Sequence, residues 1–272
     1  MGNRLLVAAG LTVVSVLGVL YGYQGRGRRS MFYDDDSPLI TPPDAGEKTE
    51  WAFARLRYPS ARGGSGRRGY WGFRSSWGTD YPKADRQFVQ GVRRLTRLHT
   101  KSVEQVVDLD SDEIYNWPWI YGVEVGTWGL TDEQCKKLRE YLLRGGFLMV
   151  DDFHGTYEWR VFMQSMERVF PDKPVVELEN SDAIFHVLYD LDGRFQVPGI
   201  GPLSWGTTYE QDGVEPRWRG IYDDKKRIMV AICHNMDLGD AWEWADSPHY
   251  PERYASLAYR IGVNYIIYSM TH

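Results

Sequence analysis

Three ionisable residues directly follow an apolar run near the middle of the chain. Residues 147–150 are apolar and lead into Asp151, Asp152 and His154. A run that is apolar on both faces is typical of a central strand in a parallel sheet, and the ligands of such sheets gather beyond the carboxyl ends of the strands. The sequence therefore predicts a pocket at this point of the fold.

Alternation along an extended strand places Asp152 and His154 on one side and Asp151 on the other. We expect Asp152 and His154 to act as catalytic acid/base or metal-binding groups, because oxygen and imidazole ligands suit both tasks. A purely structural alternative has Asp152 capping loop amides and His154 buried with satisfied hydrogen bonds. The residues expected to bind ligand beside this pair are Asp151, Asp108, Asp110, His234 and Asp237.

The identity of a bound ion or cofactor stays open from the sequence. A helix is predicted to begin near Thr156, and its positive end would point at the same place as the carboxylates. That end favours an anion, whereas the carboxylates favour a cation. A further loop at residues 237–246 interleaves acidic residues with Trp242 and Trp244 and suits a sugar, a cation or the rim of the pocket.

Composition excludes several classes of function. The net charge is -5 and the pI is about 5.7, so no general basic field attracts nucleic acid. The chain has two cysteines, Cys135 and Cys233, far apart in sequence. This number excludes a disulfide framework or a cysteine-rich zinc site, and both residues are predicted to be small buried hydrophobes.

The amino terminus predicts a membrane attachment. Residues 5–25 carry no charge and are long enough to span a bilayer as a helix. We expect residues 1–25 to be a signal anchor, with a cleaved signal peptide as the alternative. Three arginines within residues 26–29 favour a cytoplasmic carboxyl side, but the signal-like start favours the opposite, and we expect an extracytoplasmic domain. Residues 26–49 are predicted to be a flexible linker and residues 50–272 to form the folded domain.

Hydrophobic periodicity predicts alternating strands and helices in the folded domain. The predicted strands are 51–58, 103–109, 119–125, 147–150, 175–178 and a hairpin of 218–222 with 227–233; the predicted helices begin at 79–82, 131, 156 and 251. This order predicts an α/β fold, a three-layer flavodoxin-like sandwich with a mainly parallel central sheet, preceded by an N-terminal hydrophobic helix. A loop rich in glycine and arginine, residues 62–72, is interpreted as a solvated segment, with phosphate binding as the alternative.

Four motifs in this order resemble a bacterial family, domain of unknown function 4159. They are Tyr81-Pro82-Lys83-Ala84-Asp85, residues 146–155, Ile184-Phe185-His186 and Ile232-Cys233-His234-Asn235. More distantly, the layout is similar to the class I glutamine amidotransferase-like fold, including its trehalose-utilisation (ThuA-like) branch. The resemblance covers residues 50–272 and implies a flavodoxin-like sandwich without an established reaction.

One departure from the amidotransferase pattern bears on function. Amidotransferases of that fold carry a nucleophilic cysteine after the strand that here ends in residues 151–154, and no cysteine stands there. We therefore expect a membrane-tethered module that binds a small molecule or a protein partner. The alternative is a hydrolase of a carbohydrate-like or other polar small molecule that uses Asp152 and His154, with or without a metal.

Overall fold

The computed structural model describes residues 41–61 and 76–272. The predicted N-terminal helix, most of the predicted linker and the glycine/arginine-rich loop lie outside the described residues. Within the described ranges, no helix has both the length and the apolar character needed to cross a membrane. All elements named below belong to one unit, Pro42–His272. Within the predicted linker, the carboxylate of Asp44 forms an ion pair with Arg93 of the helix Lys83–Leu95 at 3.0 Å.

The described residues form one seven-stranded sheet in the order β2-β1-β3-β4-β7-β6-β5. Its strands are β1 (Ala54–Arg57), β2 (Gln105–Asp108), β3 (Trp119–Val123), β4 (Phe147–Asp151), β5 (Val176–Glu177), β6 (Arg217–Tyr222) and β7 (Ile228–His234). The first five strands in the spatial order are parallel, whereas β6 runs antiparallel to β7 and to β5. The predicted α/β fold with a mainly parallel sheet is confirmed.

Helices cover both faces of this sheet. They are α1 (Lys83–Leu95), α2 (Asp132–Leu143), α3 (Gly155–Val169), α4 (Ile200–Ser204), α5 (Leu238–Glu243) and α6 (Glu252–Thr271). Residues of α1, α5 and α6 share one buried apolar cluster with alternate strand residues such as Tyr121 and Met149. Residues of α2 and α3 share the other cluster with the intervening strand residues, among them Leu148 and Val150.

Local signals explain the best-predicted elements. In the capping box of α2, the backbone N–H of Gln134 donates to Thr131 Oγ1 at 3.2 Å, and the backbone N–H of Thr131 donates to Gln134 Oε1 at 3.0 Å. Strand β4 is buried at every position and pairs with β3 and β7, which agrees with its apolar character on both faces. Part of the acidic loop predicted after β7 instead forms the helix α5. The sequence did not predict this helix because six residues are too few to show a helical period.

The strand order defines where a ligand crevice forms. After β1 the chain moves outward to β2 and then returns to the other side of β1 to form β3. Such a reversal separates the loops that follow β1 and β3, and it opens a crevice at their carboxyl ends. Strand β4 lies beside β3, and β7 lies beside β4 with the same direction, so their carboxyl ends face the same edge of the sheet as the crevice.

Candidate functional site

An acidic cavity of about 220 Å³ occupies this crevice. The described residues that line it are Thr79, Asp80, Glu124, Asp152, His154, Glu158, Gly201, Pro202, Trp205, Glu210, Asp237 and Asp240. Seven of these twelve are acidic, and none of the twelve is lysine or arginine. The lining therefore places an excess of negative charge in one confined space.

The end of β4 supplies two of the lining residues. Asp152 adopts a left-handed backbone conformation, φ 54°, which ends the strand directly after Asp151. Residues Asp152 and His154 are 6% and 5% exposed, and His154 Nε2 lies 3.2 Å from Asp152 Oδ1. The other ring nitrogen of His154, Nδ1, is buried without a hydrogen-bond partner among the described residues. Burial lowers the pKa of His154 to about 3, with a further contribution from His234, so this ring is neutral near pH 7.

Asp151 faces away from the cavity and holds α5. Its Oδ2 accepts hydrogen bonds from the amides of Leu238 at 2.7 Å and Gly239 at 3.1 Å, and from the Tyr121 hydroxyl at 3.0 Å. Burial raises the pKa of Asp151 to about 7 against the opposing effect of these donors. The two adjacent aspartates thus have different surroundings, as the alternation along the strand predicts.

Three carboxylates converge in the cavity from three parts of the chain. Asp80, Asp152 and Asp237 each offer an oxygen, and these oxygens lie within 4.8 Å of one another. Asp237 follows β7 and caps α5, since its Oδ1 accepts from the Asp240 amide at 2.7 Å. A second group of three, Asp80, Asp240 and Glu243, meets the same distance limit and shares Asp80 with the first.

Asp80 comes from the connection between β1 and α1. Its backbone is left-handed, φ 60°, and its Oδ2 is buried without a hydrogen-bond partner among the described residues. Gly239 makes room for this oxygen, because a Cβ at that position would lie 2.5 Å from Asp80 Oδ2 and 3.2 Å from the Tyr121 hydroxyl. The close approach of Asp80 to the first turn of α5 therefore requires glycine.

Burial and mutual repulsion make the charged state of these groups costly. Burial raises the pKa of Asp152 well above its ordinary value, and the charges of Glu124 and Asp80 raise it further. Burial likewise raises the pKa of Asp80 and of Asp237, each with additional contributions from neighbouring carboxylates. The pKa of Glu124 rises to about 8 through burial and then through Glu158 and Glu210. A cation would favour the ionised forms by replacing bound protons.

The amino terminus of α3 offers little to an anion. The amides of residues 154–156 donate in turn to Glu158 Oε2 at 2.6 Å, Asn235 Oδ1 at 2.8 Å and Asp212 Oδ1 at 2.8 Å. Two of these acceptors are carboxylates, so the positive end of the helix already has negative partners within the protein. The sequence left open whether the pocket binds a cation or an anion, and these contacts favour a cation.

Two further residues predicted to bind ligand, Asp108 and Asp110, lie elsewhere. Asp108 makes a two-pronged ion pair with Arg57, and Asp110 accepts a hydrogen bond from Gln134 Nε2 at 3.0 Å. Neither lines the cavity. Asp108 is the last residue of β2, the strand at the edge of the sheet, and Asp110 follows it; β1 and β3 separate that strand from β4.

His234 also lies outside the cavity lining. It occupies the same face of β7 as Ile232, which packs toward α2 and α3. Its Nε2 lies 3.2 Å from the carbonyl oxygen of Gly155, and its ring centroid lies 4.9 Å from that of Trp159. Burial lowers the pKa of His234 to about 4. Its position is that of a packed histidine supporting the start of α3.

Sequence reasoning did not place several lining residues in a site. They are Asp80, Glu124, Glu158, Trp205 and Glu210. Glu124 carried a usable signal, because it follows β3 as Asp152 follows β4, and neighbouring parallel strands end at the same edge. Asp80 carried none beyond its suitability as a helix cap.

Comparison with known proteins identifies one family. A search of curated proteins finds no match to this chain. A family model described as a domain of unknown function (DUF4159) matches residues 52–270, which is most of the chain and includes every described residue that lines the cavity. The resemblance to domain of unknown function 4159 is thereby confirmed, and the chain belongs to the DUF4159 family.

Proposed function

We propose that this protein binds a divalent cation in the acidic cavity and, through the cation, a polar small molecule. The observation that carries the proposal is the convergence of Asp80, Asp152 and Asp237, whose oxygens lie within 4.8 Å of one another. No lysine or arginine stands among the described lining residues to offset their charge. Buried charges without partners are costly, and a cation removes that cost.

The chemistry of these donors selects the type of ion. Carboxylate oxygens are hard ligands and suit Mg²⁺, Ca²⁺ or Mn²⁺ better than soft thiophilic metals. His154 supports the same arrangement, because its Nε2 can donate to Asp152 Oδ1 and orient the carboxylate. Three protein oxygens leave coordination positions for oxygens of a ligand or for water.

The rim of the cavity suggests how a ligand is held. Trp205 lines the cavity and is 73% exposed, so its ring offers an apolar surface beside the carboxylates. A small molecule with oxygen donors and a flat face would meet both features. We assign a binding role rather than amidotransfer, because the nucleophilic cysteine of that chemistry does not stand in residues 151–154.

Calorimetric titration with Mg²⁺, Ca²⁺ and Mn²⁺ tests this function. Asp237→Asn keeps the oxygen that caps α5 but removes a charge, so we expect it to fold and to bind the preferred ion at least about tenfold more weakly. Asp108→Asn is the matched control and should bind as the wild type does, because Asp108 lies outside the cavity. The proposal fails if the wild type binds none of the three ions, or if Asp237→Asn binds them equally well.

A metal-assisted hydrolase acting on a polar small molecule is the second candidate. The observation that favours it is Glu124, a cavity residue whose pKa of about 8 suits proton transfer near neutral pH. His154, with a pKa of about 3, is the weaker base, so Asp152 would hold the ion and His154 would orient Asp152 rather than move the proton. Cation-dependent turnover of an ester or glycoside panel that is lost in Glu124→Gln would support the enzyme. Turnover that persists in Glu124→Gln would reject the hydrolase that uses Glu124 for proton transfer.

We also propose a membrane tether and a specific scaffold type. The uncharged residues 5–25 support an anchor, with the cation-binding domain on the extracytoplasmic side. Fractionation of the full chain and of a chain starting at Pro42 tests this, and a full chain found entirely in the soluble fraction would reject it.

The mainly parallel sheet with helices on both faces supports the flavodoxin-like, amidotransferase-like arrangement. Superposition of an experimental structure on members of that fold tests this assignment.

A further inference from the structure

Arg55 is a charged residue inside the core of the sheet. It lies on β1 with 0% of its surface exposed, and its Nε and Nη2 both bond to the Asp85 carboxylate of α1. Burying such a pair removes two charges from water, and apolar residues of similar volume often serve stability as well or better. Stability alone therefore does not explain this pair.

The remaining guanidinium nitrogen of Arg55 contacts the connection that carries Asp80. Nη1 donates to the carbonyl oxygen of Trp77 at 3.0 Å and to that of Thr79 at 2.9 Å. Thr79 immediately precedes Asp80 in the chain, and Asp85 lies in the first turn of α1, the helix that follows. Arg55 thus donates hydrogen bonds both to the backbone before Asp80 and to the Asp85 side chain of the helix after it.

Asp80 has little else to hold its side chain. Its Oδ2 has no hydrogen-bond partner among the described residues, while its carbonyl oxygen accepts from the Ala84 amide at 3.0 Å. The backbone therefore sets where the Asp80 carboxylate lies. Both ends of that backbone segment are fixed by one guanidinium group.

We propose that Arg55 is the positioning residue of the cation site. The proposal rests on the cation binding proposed above. Arg55 does not line the cavity; it sets the backbone of Asp80 so that the carboxylate oxygen stands within reach of Asp152 and Asp237. Arginine suits this task because its planar fork can bond a carboxylate on one edge and backbone carbonyls on another, which a lysine ammonium cannot do in the same geometry.

Two variants separate positioning from general stability. Arg55→Met combined with Asp85→Leu removes both charges together, so no buried charge is left unpaired. Arg55→Lys keeps the charge but loses the fork. For each protein, titration calorimetry gives the affinity for the cation preferred by the wild type, and thermal unfolding without cation gives the intrinsic stability.

Arg139→Lys is the matched control. Arg139 also makes two bonds to one carboxylate, that of Asp172, and one to a backbone carbonyl, that of Val169, but it lies outside the cavity lining. We expect at least about tenfold weaker cation binding in the double variant, with a melting temperature close to that of the wild type. Arg55→Lys should give an intermediate affinity, and Arg139→Lys the affinity of the wild type.

The outcomes distinguish the two proposals. A wild type that binds no cation overturns the proposed function and this inference with it. A wild type that binds, together with a double variant and Arg55→Lys that bind equally tightly, overturns only the role of Arg55. A double variant that does not fold leaves the decision to Arg55→Lys, whose affinity must fall below that of Arg139→Lys for the inference to stand.

Discussion

Two groups of acidic residues lie at or beyond the carboxyl ends of strands in the same sheet, and their surroundings differ. At the edge, Asp108 ends β2 and pairs with Arg57, and Asp110 bonds to Gln134; Asp108 is partly exposed and Asp110 is exposed. At the centre, Asp152 and Asp237 are 6% and 5% exposed and line a cavity whose described lining contains no lysine or arginine. Burial without a counter-charge, rather than acidity itself, therefore marks the candidate site.

The energetic contrast follows from the dielectric surroundings. An exposed ion pair such as that of Asp108 contributes about 0–1 kcal/mol to stability, because water screens it. A buried carboxylate without a cation loses its hydration and is repelled by its neighbours, which is why the pKa of Asp152 rises. The central group therefore opposes folding until a cation binds, whereas the edge group is nearly neutral.

Among the variants considered, replacement of Asp152 should lower the cation affinity of the cavity most strongly. In Asp152→Asn we expect cation affinity to fall by about a hundredfold, or roughly 2.7 kcal/mol, because a ligand charge is lost. The cation-free variant should melt at a higher temperature than the wild type, since one buried repulsive charge is gone. Calorimetry and thermal unfolding measure the two effects. An unchanged affinity would show that Asp152 is not a ligand.

His154 should have the next largest effect. His154→Ala removes the ring that lies 3.2 Å from Asp152 Oδ1, and loss of such an outer partner typically costs about 10–100-fold in metal affinity. His154→Gln retains an amide donor and should recover part of that loss. Equal affinities in wild type and His154→Ala would indicate that the ring only fills space.

The buried carboxyls should make the stability of the cation-free protein depend on pH. The folded-state pKa values of Glu124, about 8, and Glu243, about 7, lie above the unfolded carboxyl value of about 4.3. Between these values the folded chain therefore holds more protons on these carboxyls than the unfolded chain does. The lowered pKa values of His154, about 3, and His234, about 4, act in the opposite direction below the unfolded histidine value of about 6.5. Stability should therefore fall as pH rises from about 6.5 to about 8.

A bound cation should remove much of this dependence, because it replaces the protons; cation affinity should rise over the same interval. Melting temperatures across that range, with and without Mn²⁺, measure both trends. A cation-free melting temperature that increases steadily from about pH 6.5 to about pH 8 would contradict the assignment of an uncompensated carboxylate cavity.

The edge group should give the smallest effect. Asp108→Asn removes an exposed pair with Arg57 and should change the free energy of unfolding by about 0–1 kcal/mol. Its cation affinity should equal that of the wild type. Chemical denaturation and calorimetry check these values, and a marked loss of affinity would mean that the edge group participates in the site.

Local patterns in the sequence predict the elements and one side of the site. The apolar run of β4 predicted a central strand, and alternation separated Asp151 from Asp152 and His154. Strand order is a tertiary property, so the sequence did not show that β2, which ends in Asp108, lies at the edge of the sheet. Asp80 reaches the cavity through a left-handed turn held by Arg55, and no local periodicity encodes that contact.

Diffraction from crystals of the protein soaked in Mn²⁺ tests the central claim most directly. We predict an anomalous difference peak bounded by oxygens of Asp80, Asp152 and Asp237, at metal–oxygen distances of roughly 2.0–2.6 Å for hard cations of this kind. A cavity without such a peak, with Mn²⁺ bound instead at Asp108 and Asp110, would contradict the account.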